Sequence, residues 1–196
     1  MTEDWWWAIT IGVVLLIIAW YLSYSAARLD RLHARAEGAL AALDAQLVRR
    51  AEATLELANS GGLDPASSLL LASAASESLD LHPVQTVADD PLDGVQFAGR
   101  ESVEADLTAA LHAALTPPVI QDLTSRNGVA GAALERVDAA ATRVQMARQF
   151  HNNAVRDVHR MRAKPVVRLF HLAGHASNPG LVEFDDARPG SGQVPA

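Results

Sequence analysis

The chain contains no cysteine. Disulfides, thiolate metal sites, a cysteine nucleophile and a thioether lipid anchor are therefore excluded, while the compartment stays open. Aromatic residues make up only 5% of the chain, and all four Trp lie in or beside one apolar stretch. The remainder is Ala-rich and aromatic-poor, which argues for closely spaced helices rather than a deep substrate pocket. Lysine is nearly missing as well: 15 of the 16 basic residues are Arg, the usage of a GC-rich genome. No segment alternates apolar and polar residues with a period of two, so strands are not expected. No Ser-His-Asp order, glycine-rich phosphate loop or paired-carboxylate pattern stands out, and no repeat of solenoid period occurs.

Charge is also missing from one long interval: no Asp, Glu, Lys or Arg occurs between Asp4 and Arg28. Inside it, Trp5 to Tyr24 reads WWWAITIGVVLLIIAWYLSY. About 20 apolar residues in a helix rise roughly 30 Å, the thickness of a bilayer's hydrocarbon core. Its central Ile, Leu and Val residues supply roughly −3 to −5 kcal/mol toward insertion, with no buried charge opposing them. Trp5, Trp6 and Trp7 at one end, and Trp20, Tyr21 and Tyr24 at the other, stand where interfacial aromatic belts form. The stretch reads as a transmembrane helix. A secretory signal would have a basic leader and a shorter apolar core, whereas Met-Thr-Glu-Asp is acidic and the run is long. The flanks orient the span: Glu3 and Asp4 precede it, Arg28, Arg31 and Arg35 follow it. The positive-inside rule places the N-terminus outside, and the rest in the cytoplasm beneath a plasma membrane. Ala8-x-x-x-Gly12 offers a small-residue face to a neighbouring helix.

The rest of the chain predicts an all-α fold, an antiparallel bundle of long and short helices over residues 28–173. Leu29, Leu32, Ala36, Leu40, Leu43, Leu47, Ala51, Leu55 and Ala58 recur in steps of three and four. With no Gly or Pro at the junction, this helix continues the span as one rod. Arg49, Arg50, Glu52 and Glu56 fall off its stripe, and Asn59-Ser60-Gly61-Gly62 ends it. Asp64-Pro65 is an N-cap with Pro at the first helical position. It opens a helix to Asp80 with Leu69, Leu70, Ala72, Ala75 and Leu79 inward. Pro83 to Gly99 reads as a loop. Glu101 to Leu115 is helical, with Val103, Leu107, Ala110, Leu111 and Ala114 inward and acids where the macrodipole favours them. After a short piece from Val119 to Arg126, a second long helix runs from about Val129 to Ala163, then a short one from Val166 to Ala173. The stripe of the second long helix is Ala130, Leu134, Val137, Ala141, Val144, Ala147, Ala154, Val158 and Met161. Residues from Gly174 onward read as a loose, irregular tail.

Two stretches resemble the LemA family. Its first-helix signature, Asp-x-Gln-Leu-x-Arg-Arg, is present as Asp44-Ala45-Gln46-Leu47-Val48-Arg49-Arg50. Its last long helix carries Ala-Arg, then Tyr-Asn and Val; here Ala147-Arg148, Asn152 and Val155 match, with His151 in place of Tyr. The resemblance implies a divergent member: a membrane-anchored antiparallel bundle, N-terminus outside, with no established catalytic chemistry.

The net charge of −7 is uneven, with −11 up to residue 125 and +6 from Arg126 to Arg168. Antiparallel packing of the two segments favours one alignment, with Asp30, Asp44 and Glu52 as partners for Arg148 and Arg156. The basic series also suits anionic lipid headgroups, especially at Lys164 and Arg168. Nucleic acid is not expected, since only Phe150 and Phe170 interleave with the basic residues. His171 and His175 have a helical metal spacing, but a nearby glycine and the lack of a third ligand favour ordinary histidines. His151 and His159 point to a polar contact with the first long helix. Asn127-Gly128-x-x-Gly131 is a weak phosphate motif and reads better as a turn. No cofactor, metal or small-molecule substrate is expected. The reading is a non-enzymatic scaffold, an accessory subunit of a larger membrane complex such as a respiratory supercomplex, contacting other integral-membrane subunits. The alternative is a membrane-tethered adaptor that recruits soluble partners through the Pro83 to Gly99 loop and the tail.

Overall fold

The computed structural model describes residues 3–81, 95–126, 128–174 and 178–189, with the backbone alone for 3–4 and 95–98. Among the described residues the chain is all-helical and contains no strand. One helix, α1 (Glu3–Ala58), joins the apolar stretch to the bundle without a break. Its 56 residues rise about 84 Å. The other elements are α2 (Pro65–Asp80), α3 (Val95–Ala114), α4 (Pro117–Ser125), α5 (Val129–Arg162) and α6 (Pro165–Leu169).

The spine is the antiparallel pair α1 and α5. Leu29 packs with Met161, Ala36 with Ala154 and Val158, and Leu43 and Leu47 with Val144. Leu57 shares a core with Leu134 and Val137. Numbers rise along one helix as they fall along the other. The buried positions follow a seven-residue repeat. On α1 it runs Leu29, Ala36, Leu43, Arg50 and Leu57, and on α5 Val137, Val144, His151 and Val158. That repeat keeps one seam facing a partner along two straight helices. Alanines at 36, 133, 140, 141 and 154 let the backbones come close. Toward its far end α1 is clad on more sides, because α2 packs along it and α3 packs on α2.

Helix ends follow local chemistry. Gly61 takes a φ of +72° just beyond α1, the left-handed geometry that glycine adopts without strain. The Asp64 carboxylate accepts the amides of Ala66 and Ser67, and Pro65 opens α2. Hydrogen bonds from Ser67, side chain then backbone, hold the Asp64 carboxyl below its usual pKa. Gly131 is a matter of space: a Cβ there would lie 2.9 Å from the Leu123 carbonyl oxygen where α4 and α5 meet. The glycines of the suspected phosphate turn are thus explained in part by close packing, while Asn127 lies outside the described residues.

Four expectations need correction. Helix α3 begins at Val95, so 95–99 is helix rather than loop, and 83–94 lie outside the described residues. Glu101 and Glu104 accordingly stand beyond the first turn, and the macrodipole is not what places them there. On α2 the buried residues are Leu71, Ala75 and Ser78, whereas Leu69 and Leu70 are exposed. A single apolar run of three leucines left the rotation of that helix ambiguous. The short last helix closes at Leu169, because His171 adopts a φ of +49°. The loose tail is irregular but not detached: 178–189 lies against the bundle, with Val182 and Asp186 buried.

Candidate functional site

Two features of the surface and core go beyond what a helical bundle requires. The first is the front half of α1. Along an 18-residue apolar window beginning near Trp5, nothing in the protein covers the helix. Trp5, Trp6, Trp7, Trp20, Tyr21 and Tyr24 all project freely, and Trp20 and Tyr24 stack with ring centroids 6.2 Å apart. Ala8 and Gly12 share this bare surface, with nothing within 4 Å of a Cβ built on Gly12. Cladding begins with the half-buried Leu22 and is complete at Ser25, which is 4% exposed. Helix α1 is thus the one helix among the described residues long and apolar enough to cross a membrane.

The second feature is a polar seam inside the bundle. Arg50 occupies a heptad position that elsewhere holds Leu or Ala, and it is 1% exposed. Its Nη2 donates to Glu104 Oε2 at 2.7 Å and to the Glu104 carbonyl at 3.0 Å; Nη1 donates to Thr108 Oγ1 at 3.1 Å. Ser78 Oγ donates to the other carboxylate oxygen at 2.8 Å. Arg100 bridges Glu104 and Asp44. Two cations and two carboxylates therefore share the seam, so no net charge is buried. That balance matters, because an unpaired ion in such a place costs several kcal/mol. Through this knot α1, α2 and α3 are held in one register.

The chain's own residues 178–189 lie along the seam as an extended strap. Asn152 recognises its main chain as another strand would, donating to the Val182 carbonyl and accepting the Val182 amide, each at 3.0 Å. Arg148 grips Asp186 in a two-pronged pair at 2.7 and 3.0 Å, and Gln145 donates to the Asp186 carbonyl at 2.7 Å. Thr108 Oγ1 lies 2.7 Å from the Asp185 carbonyl, and the Glu183 amide donates to Glu101 at 2.7 Å. The Phe184 ring lies 5.9 Å from the Arg50 guanidinium and 5.7 Å from that of Arg148, within cation–π range of both. Val182 joins Leu43, Leu47 and Val144 in the core.

His151 and His159 serve the strap as well. His151 Nε2 is 3.3 Å from the Gly180 carbonyl and His159 Nε2 is 2.9 Å from that of Pro179. Facing carbonyl oxygens, both nitrogens act as donors. Burial pushes the His151 pKa down from 6.5, against the opposing pull of the Gly180 carbonyl. His151 also faces the Ala36 backbone on α1, so the expected contact with the first long helix stands for His151 beside the strap, whereas His159 turns to Pro179.

The signature residues are brought together in this seam, though not in the pairs expected from charge alone. Asp44 pairs with Arg100, and Arg148 with Asp186. The α1–α5 cross-pairs are instead Glu56 with Arg136 and Arg35 with Asp157; Arg156 donates to Asn153. Leu47 and Val155 are core residues, Gln46 is half-buried, and Arg49 faces outward while Arg50 faces in. Sequence reasoning missed Glu104, Arg100, Ser78, Phe184 and Asp186. The repeat of seven from Leu29 was the signal for Arg50; nothing comparable announced the strap. Of the His171 and His175 pair, His175 lies outside the described residues. No family model matches this chain, and no curated protein or solved structure matches it either.

Proposed function

We propose that the protein is a non-enzymatic, single-pass membrane scaffold, an accessory subunit that joins other integral-membrane subunits in a larger complex such as a respiratory supercomplex. The observation that carries this reading is the uncovered apolar surface of α1 from Trp5 to Tyr24. A helix apolar on every side needs an apolar medium, lipid or another helix, around it. Because the same helix is the spine of the bundle, anything that holds the span also sets the position of the bundle. Its charged flanks favour the N-terminus outside and the bundle in the cytoplasm, beneath a plasma membrane. Ala8 and Gly12 offer the close-approach face to a neighbour. The LemA-like signature fits the same picture, since Asp44, Arg50, Arg148 and Asn152 act here as internal braces rather than as reacting groups.

A second reading, a membrane-tethered adaptor, is favoured by one specific observation: the α1–α5 seam already holds an extended segment through its main chain. Purification of the full chain in a gentle detergent, followed by native mass spectrometry, separates the two. Stoichiometric integral-membrane partners support the scaffold, and sub-stoichiometric soluble partners support the adaptor. A single monodisperse species would count against both.

A further inference from the structure

The end of the return helix stops beside the point where the bare span begins. Met161 and Val167 pack on Leu29, with Leu172 and Ala173 against the same cluster. Leu29 is five residues beyond Tyr24, a rise of about 7 Å. The headgroup layer of a bilayer is itself roughly 5–8 Å thick on each side. Helix α6 and the turn after it therefore lie at headgroup depth if Tyr24 marks the edge of the hydrocarbon.

At this level the protein exposes an unusual combination. Leu169 is 73% and Phe170 47% exposed, although Val167 before them is buried and Leu172 and Ala173 after them are half-buried. The exposed Lys164 and Arg168 flank them in the chain, and the exposed Arg28 and Arg31 stand on α1 within two residues of Leu29, on which this turn packs. Among the described residues none of these four cations has an ion-pair partner. The patch matches the two layers it would meet. Apolar tips suit the acyl boundary, and cations suit the phosphates just outside it.

We propose that the α6 turn is a foot that seats on an anionic lipid surface, with Leu169 and Phe170 inserted and Lys164, Arg168, Arg28 and Arg31 on the headgroups. The foot rests on the membrane-span reading. It gives the bundle a second point of attachment, so that the bundle's tilt on the membrane is set as well as its position.

The absence of native cysteine allows single environment-sensitive probes to be placed at will. An apolar fluorophore is attached through Leu169→Cys, with matching probes at Leu16→Cys in the span and at Leu69→Cys on the exposed face of α2. The full chain is reconstituted in vesicles of phosphatidylcholine alone or with one quarter phosphatidylglycerol, each doped with a headgroup-region quencher. We expect the probe at 169 to be quenched at least threefold more than that at 69 in the anionic vesicles. The excess should fall by half or more in phosphatidylcholine and in the K164E/R168E variant, whose bundle melting is checked separately. Equal quenching at 169 in both vesicle types would overturn the anionic preference. A probe at 169 as unquenched as that at 69, with 16 quenched or blue-shifted by lipid, would overturn the foot and leave the span standing. A probe at 16 that stays in water would overturn both.

Discussion

The two halves of α1 are built on one continuous helical backbone and solve opposite problems. Up to Tyr24 every face is apolar and only Leu22 is partly covered; from Ser25 on, a seven-residue seam is covered and the opposite face is charged. In the first half, side chains contribute transfer energy to a surrounding medium and need no register. In the second, they need a particular partner, and two of the seam positions are given to Arg50 and His151, which only one alignment satisfies. Apolarity sets location, whereas the buried polar groups set alignment.

The largest effect that would break this contrast comes from charging the front half. Leu15→Lys together with Leu16→Lys adds about 5–7 kcal/mol to insertion at the helix centre, more than the roughly 3–5 kcal/mol its apolar residues supply. The protein should leave the carbonate-resistant membrane fraction, while the bundle's denaturation midpoint stays unchanged.

The next largest falls on the seam. Arg50→Ala removes the shorter ion pair of Glu104, which is 0% exposed, and leaves Arg100 alone against two carboxylates, so it should cost about 3–5 kcal/mol of bundle stability in urea melts. Removing the outward-facing Arg49 next to it should cost under about 0.5 kcal/mol. Adding Glu104→Gln to Arg50→Met should recover part of the loss, because no unpaired charge then stays buried.

Smaller effects test the strap. Asn152→Ala removes both hydrogen bonds to Val182 and leaves its main chain unpaired, at about 1–3 kcal/mol for the group. Amide exchange at Val182 should accelerate more than at Leu107 in the neighbouring core.

The smallest effect is set by pH. The His151 pKa is lowered in the folded state, so the unfolded chain binds the proton more readily. The stabilisation is therefore complete above pH 6.5 and declines as pH falls below it. Urea midpoints followed from pH 7.5 to 5.5 should drop in the wild type and flatten in His151→Gln.

The same contrast explains what could be read in advance. The front half was legible because composition alone decides it. The core of α3 and α5 was legible too, through Leu107, Leu111, Val137 and Val144, because regular spacing reports a single buried face. The inward positions of α2 were not, since Leu69-Leu70-Leu71 fits several rotations and the choice falls to α1 and α3. Charge counting suggested pairs between the long helices but misassigned Asp44 and Arg148. Their actual partners, Arg100 and Asp186, come from segments far away in the chain. The strap carries no periodic signal at all: an extended segment held by Asn152 and Arg148 looks in sequence like any polar tail.

The most direct test follows the change of environment through the junction. Single spin labels at each position from 18 to 32, in the full chain reconstituted in lipid, report access to oxygen dissolved in lipid and to a water-soluble relaxant. Labels up to 24 should favour oxygen on nearly every face. From 25 onward, protected and water-accessible positions should alternate in steps of three and four. Alternation between protein and water that extends back through residue 18 would contradict the account, because the front half would then be one more helix of a water-facing bundle.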